Sequence, residues 1–190
     1  MTPKNINPSP NGKCDSKILL AFAQPLTAKQ ISKKSGIPMD TCSYIVAKYV
    51  QQRILTCLNP KARNSRVYWL TDTGILHKKE LCRKLNITYI EPNLPDIDWP
   101  LYGWVCFSHR TMVIKVLTMA MQPSEVKRVL RLQKENTRIS ANNIRDVMRL
   151  LLSKGIVRPV KVKKRAHLRY ELTELGTKLR QLLMRADVVL

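Results

Sequence analysis

The sequence predicts a mainly helical α+β fold with small β-hairpins, built twice in one chain. Three observations carry this. A helix–hairpin–helix pattern runs from Ser140 to Gly176, it recurs upstream, and both hairpin turns are basic. In Ser140–Gly176, Ile144, Val147, Met148, Leu151 and Leu152 recur at spacings of three and four, one buried stripe of an amphipathic helix. Ser140 is a good N-cap and Gly155 a good stop. The period then shortens. Ile156-Val157 and Val160–Val162 read as one strand; Leu168, Tyr170 and Leu172 alternate with Arg169 and Glu171 as a second. Lys163-Lys164-Arg165-Ala166-His167 forms the turn between them. Thr173 caps a further helix with Leu175, Leu179, Leu182 and Leu183 on one side.

Self-comparison finds the first copy. Tyr68–Gly74 matches Tyr170–Gly176 at an offset of 102 residues, including a shared L-T-x-x-G. The same offset pairs Ile37 with Ile139, Cys42 with Ile144, Ile45 with Val147 and Ile54 with Ile156. It also pairs Lys61 with Lys163 and Arg63 with Arg165. Upstream, Gln24-Pro25 matches Gln122-Pro123 at an offset of 98, which puts four extra residues between the second and third helices of the second copy. Helix, basic hairpin, helix is the order of a winged helix-turn-helix, so two such domains in tandem are expected.

The elements follow in order. Residues 1–13, with three prolines and no periodicity, are expected to be a tail. Domain 1 is expected over 14–85. Asp15 caps a helix carrying Ile18, Leu19 and Phe22. Thr27 caps the next, with Ile31 inward and Lys29, Lys33 and Lys34 outward. Pro38 starts a third that runs to Gln52, a favoured place for proline. It buries Cys42, Ile45, Val46 and Tyr49 and presents Asp40, Thr41, Ser43, Tyr44 and Lys48. The hairpin spans Ile54–Leu58 and Arg66–Leu70, with Lys61 and Arg63 in its turn. Residues 86–104 form a linker, acidic and rich in proline, expected to be extended. Its Tyr89, Trp99, Tyr102 and Trp104 are expected to pack on a domain, because large rings gain most from burial. Domain 2 is expected over 105–187. Its second helix starts at Ser124, with Val126, Val129, Leu130 and Leu132 inward, and Glu135–Arg138 form a turn. Residues 188–190 are a short tail.

Composition bounds the function. Lys and Arg number 34 against 13 Asp and Glu, a formal net charge of +21. Up to Asp98 there are 15 basic and 7 acidic residues, and beyond it 19 and 6. Such an excess is self-repelling unless an anionic partner uses it, and nucleic acid is the leading one. No long apolar helix or signal-like start supports a membrane. The five cysteines are odd in number and none is spaced C-x-x-C, which argues against disulfides and zinc and for a reducing compartment. No P-loop, dinucleotide turn or H-E-x-x-H is present, and His77, His109 and His167 are scattered. No enzyme, cofactor or metal is expected.

The L-T-x-x-G close of each hairpin resembles that of winged-helix transcription regulators of the MarR-like and PadR-like kind. The Y-x-L-T-E-x-G form of Tyr170–Gly176 is nearest. The resemblance spans both repeats. It implies that the third helix enters the major groove of double-stranded DNA and that the wing touches the backbone or minor groove. Carried over by position, the recognition helices are Pro38–Gln52 and Ser140–Lys154, and the wings Lys61–Arg66 and Lys161–Arg169. Those families have one such domain per subunit and dimerise. Two domains here allow either a homodimer or a monomer that imitates one.

The expected DNA-binding residues are then Lys33, Lys34, Thr41, Ser43, Tyr44, Lys48, Lys61, Arg63 and Arg66 in the first copy. In the second they are Asn142, Asn143, Arg145, Arg149, Lys161, Lys163, Lys164, Arg165 and Arg169. Asparagine pairs with adenine and arginine with guanine through two hydrogen bonds each. Asn142 and Asn143 serve as well for capping, and Arg145 and Arg149 for phosphate contact. A cytoplasmic, nucleoid-associated location follows, or a nuclear one in a eukaryote. Two other readings stay open. Tandem winged helices also occur in interaction subunits, such as the kleisin-associated subunit of bacterial condensin, and in replication initiators. Winged helices of a specialised elongation factor bind RNA hairpins.

Overall fold

A computed structural model describes residues 12–133, 139–160 and 168–187. Residues 1–11 of the tail expected at 1–13, the tail at 188–190, the Glu135–Arg138 turn, and Lys161, Lys163, Lys164 and Arg165 lie outside the described residues, and Lys13, expected in the tail, opens a helix. Among the described residues the architecture is mainly helical α+β with two small antiparallel sheets. It divides into two compact units, one up to Gly103 together with residues 186–187, and one from Trp104 to Arg185. No described helix is long and apolar enough to cross a membrane.

The first unit contains α1 (Lys13–Ala21), β1 (Leu26–Thr27), α2 (Ala28–Ser35), α3 (Met39–Gln51), β2 (Leu55–Cys57), β3 (Val67–Leu70) and α4 (Asp72–Lys84). Its sheet has the order β1-β3-β2, with Leu26 opposite Tyr68 and Leu55 opposite Leu70. Ile18, Phe22, Ile31, Cys42, Ile45 and Tyr49 meet in its core. Thr27 caps α2 reciprocally with Gln30: Thr27 Oγ1 accepts from the Gln30 N–H at 3.3 Å, and Gln30 Oε1 from the Thr27 N–H at 2.8 Å. Asp15, expected as a cap, instead lies in the first turn of α1, buried, and Gly12 holds the cap position. The two-residue strand β1 was not anticipated, since two residues carry no periodicity.

The stretch expected to be wholly extended ends in a helix, α5 (Trp99–Val105). Residues 87–98 do lack helix and strand. Asp98 Oδ1 accepts the Leu101 N–H at 2.9 Å and starts the helix. Pro100 falls in its first turn, where a missing N–H costs nothing. Tyr102 is buried and its hydroxyl accepts from Gln30 Nε2 at 3.2 Å, while Trp99 packs edge-on against its ring. Aromatic packing therefore holds this segment, as expected of Tyr102.

The second unit contains α6 (Ser108–Val116), α7 (Pro123–Leu132), α8 (Ala141–Ser153), β4 (Val157–Val160), β5 (Arg169–Leu172) and α9 (Glu174–Asp187) up to Arg185, the last two residues of α9 grouping with the first unit. Val157 lies opposite Leu172 in the hairpin. Downstream of the second helix the two units match as the offset of 102 requires: α3 and α8 each have 13 residues. Upstream the structure corrects the offset. Met121 bridges Tyr170 as Leu26 bridges Tyr68, and Gln122 caps α7 as Thr27 caps α2. The upstream offset is thus 95, and seven extra residues, not four, separate the second and third helices. The repeated Gln-Pro misleads because its two copies do different work. Pro25 precedes β1, whereas Pro123 opens α7.

Three side chains expected inward or outward are reversed, one of them Leu152, expected on the buried stripe of α8 and 39% exposed. Leu132 is 75% exposed, because α7 turns it off the Val126–Leu130 face. Lys34, expected outward, is only 8% exposed. It lies three residues after Ile31, on the same side of α2.

Candidate nucleic-acid interface

On α8, Asn142, Asn143, Arg145 and Arg149 are all exposed. The cap belongs to Ser140, whose Oγ accepts the Asn143 N–H at 3.0 Å. The asparagine side chains are therefore not consumed in capping the helix. Arg145 donates to Asn142 Oδ1 at 3.3 Å, and Arg149 lies 3.4 Å from Asp146. Such exposed pairs are weak and leave both guanidinium groups open to an anion. Arg145 and Arg149 line a groove of about 330 Å³ with Pro123 and Ser124 from the start of α7, and Leu168 and Tyr170 from the hairpin. Three elements thus converge on one surface. Sequence reasoning missed the part of Gln122–Ser124; the signal was the Gln122-x-x-Glu125 capping pattern, in which the Gln122 N–H donates to Glu125 at 2.8 Å.

Arg169 requires correction. The sequence makes it a wing cation with no acidic partner before Glu171. It is half-buried and donates to Glu125 at 2.8 Å and to the Ala120 carbonyl at 3.2 Å. Met121 runs beside β5, which brings Arg169 against the residues that open α7, so it braces the hairpin. Glu171, two residues on and on the same face of β5, pairs with Arg158 at 2.7 Å.

In the first unit, Thr41, Ser43 and Tyr44 are exposed along α3, Tyr44 at 72%. Lys48 is turned back onto α1, with its ammonium 3.1 Å from Asp15 and 5.9 Å from the Tyr49 ring centroid. The burial of Asp15 fixes the acid there, which neutralises the one cation expected on this helix. At the positions of Arg145 and Arg149, α3 carries Ser43 and Ala47. The loop carries exposed Lys61, Arg63 and Arg66. That loop is organised by buried Asn59. Its Oδ1 accepts the Val67 N–H at 2.7 Å, and its Nδ2 donates to the Ser65 carbonyl at 3.2 Å. Arg66 Nε donates to the Ala62 carbonyl at 3.1 Å. On α2, Lys33 is exposed and lies 3.1 Å from Asp187. Lys34 is withdrawn from the surface, and burial holds its ammonium below the ordinary lysine range.

No family model, curated protein or solved structure matches the chain. Among the described residues, no group of three His, Cys, Asp or Glu side chains is placed to hold a metal ion.

Proposed function

We propose that the chain is a tandem winged helix-turn-helix protein that binds double-stranded DNA and regulates transcription. The supporting observation is the groove at which Arg145 and Arg149 of α8 meet the start of α7 and the β4–β5 hairpin. A helix fits the major groove, where base edges are distinguishable. Arg145 and Asn142 occupy the first turns of α8 and are the base-reading candidates; Arg149 is farther along. The basic hairpin residues, Lys61, Arg63 and Arg66 in one copy and Lys161, Lys163, Lys164 and Arg165 in the other, supply phosphate contacts. The net charge of +21 fits such a partner. In this reading the second unit reads sequence, and the first adds backbone contacts through its loop. Two domains let one chain act as a dimer does.

The test is a gel shift with duplex DNA, duplex RNA and single strands at two salt concentrations, followed by selection of bound duplexes from a random pool. Salt-sensitive binding to duplex DNA and an enriched motif are expected. Preference for RNA, or no duplex binding at low salt, would move the protein to the RNA-binding or interaction-subunit class.

A further inference from the structure

The first unit also contains a cavity unlike the Lys61–Arg66 loop in composition. It has a volume of about 610 Å³ and lies among α1, α2, α4 and the segment that follows α4. That volume is within the usual range for small-molecule pockets, roughly 300–1,000 Å³. Lys17, Lys33, Lys34 and Lys78 border it, and among the described residues no carboxylate lines it, Lys33 alone of the four having its ammonium on Asp187. The rest of the wall is largely apolar, with Leu20, Cys82, Ile87 and Ile90. Two of its lysines are buried: Lys34 is 8% exposed and Lys78 4%.

The buried pair differ in what holds them. Lys78 donates to the Phe22 and Ile90 carbonyls, the latter at 3.3 Å, and lies 5.8 Å from the Tyr89 ring centroid. It is a tethered charge. Lys34 has no such acceptor among the described residues, although the cavity borders it. Partial burial of a lysine disfavours its charge, and a second ammonium on the same cavity adds repulsion. Burial holds both below the ordinary lysine range, and the charge of Lys34 lowers Lys78 further. One bound negative charge would relieve all of this, and the apolar wall would take an apolar body.

We propose that this cavity binds a small organic anion, one carboxylate on an apolar chain or ring, with Lys34 as the residue that meets the carboxylate. Lys78 adds charge and fixes the wall by holding Ile90. The site is independent of DNA binding and stands or falls without it.

The probe is octanoate, with octanol as its neutral counterpart, titrated into the full chain by calorimetry and by thermal melting. Octanoate is expected to bind with one site per chain and to raise the melting temperature, since a ligand that binds only the folded state stabilises it. Octanol should bind at least tenfold more weakly. Lys34→Met, which keeps the apolar stem, should fold and lose at least tenfold in octanoate affinity while its octanol affinity holds. Lys34→Arg should retain octanoate binding. Should Lys34→Met not fold, Leu20→Trp, which fills the cavity from α1, must abolish octanoate binding in its place. Equal affinity for octanoate and octanol, unchanged affinity in the folded variant, or no binding at all would overturn the proposal.

Discussion

Gly176, in the first turn of α9, lies so close beneath the Ile156 carbonyl that a β-carbon would overlap that oxygen and sit 3.1 Å from Leu172 Cδ2. Gly74 stands in the same relation to Ile54 and Leu70. The preceding threonine completes the joint. Thr173 Oγ1 donates to the Gly155 carbonyl at 2.7 Å and accepts the Gly176 N–H at 3.2 Å. Thr71 does the same with Arg53 and Gly74, at 2.6 and 3.2 Å. The L-T-x-x-G repeat is therefore a packing device that seats the last helix on the turn after the third.

Gly176→Ala and Gly74→Ala test this joint. Helix propensity alone favours alanine by roughly 0.5–1 kcal/mol. Overlap with a backbone oxygen should reverse the sign and cost about 1–3 kcal/mol net. Urea unfolding measures it, and a more stable alanine variant would show that the approach is looser.

Arg53 has φ 57°, a left-handed conformation that Gly155 holds in the second unit at φ 66°. A side chain there costs about 1–2 kcal/mol. Arg53→Gly should raise stability by about 1 kcal/mol, less the added entropy of the unfolded chain. Gly155→Arg should lower it. Thermal melting of both variants checks the pair.

Arg169 and Glu125, each about one-third exposed in the side chain, form a brace between β5 and α7. A double-mutant cycle should give a coupling of only about 0.5–1 kcal/mol, because solvent screens the pair. If the DNA reading holds, Arg169→Ala should leave the salt dependence of binding unchanged. Lys163, Lys164 and Arg165 changed together to alanine should lower the slope by about one for each phosphate no longer neutralised. An altered slope in Arg169→Ala would return that residue to the wing.

Arg145→Ala should cost roughly 1–3 kcal/mol at the preferred duplex and much less on random DNA if it reads a guanine. Ser43→Ala, at the matched position, should cost less. Uniform loss on all duplexes would make Arg145 a phosphate contact.

Burial pushes the Cys42 thiol up from 9.0 to about 11. The unfolded thiol ionises first as pH rises, so this group's contribution to stability is intact below 9.0 and is lost between there and about 11. Cys42→Ala should flatten the stability–pH curve over that window. With a thiol reagent near neutral pH, exposed Cys14 should react in the native protein and buried Cys42 and Cys82 only on unfolding.

Periodicity alone was enough for α3, α8 and α9, because stripes such as Ile144–Leu151 admit one amphipathic solution. Ser140, Thr27 and Gly155 marked the boundaries by chemistry local to a few residues, and those positions hold in the structure. The 102-residue repeat and the charge excess were equally plain in the sequence. What tertiary structure decided are the partners of charged groups. Lys34, Lys48 and Arg169 look alike in sequence to Lys33, Arg145 and Arg149. One is drawn into a cavity, one onto Asp15 and one onto Glu125, 44 residues away. The upstream offset of 95 likewise rests on the Met121–Tyr170 bridge. Spacing along the chain reports which face of a helix a residue occupies. Whether that face meets solvent, an acid or a cavity depends on elements far away in sequence, and only their packing settles it.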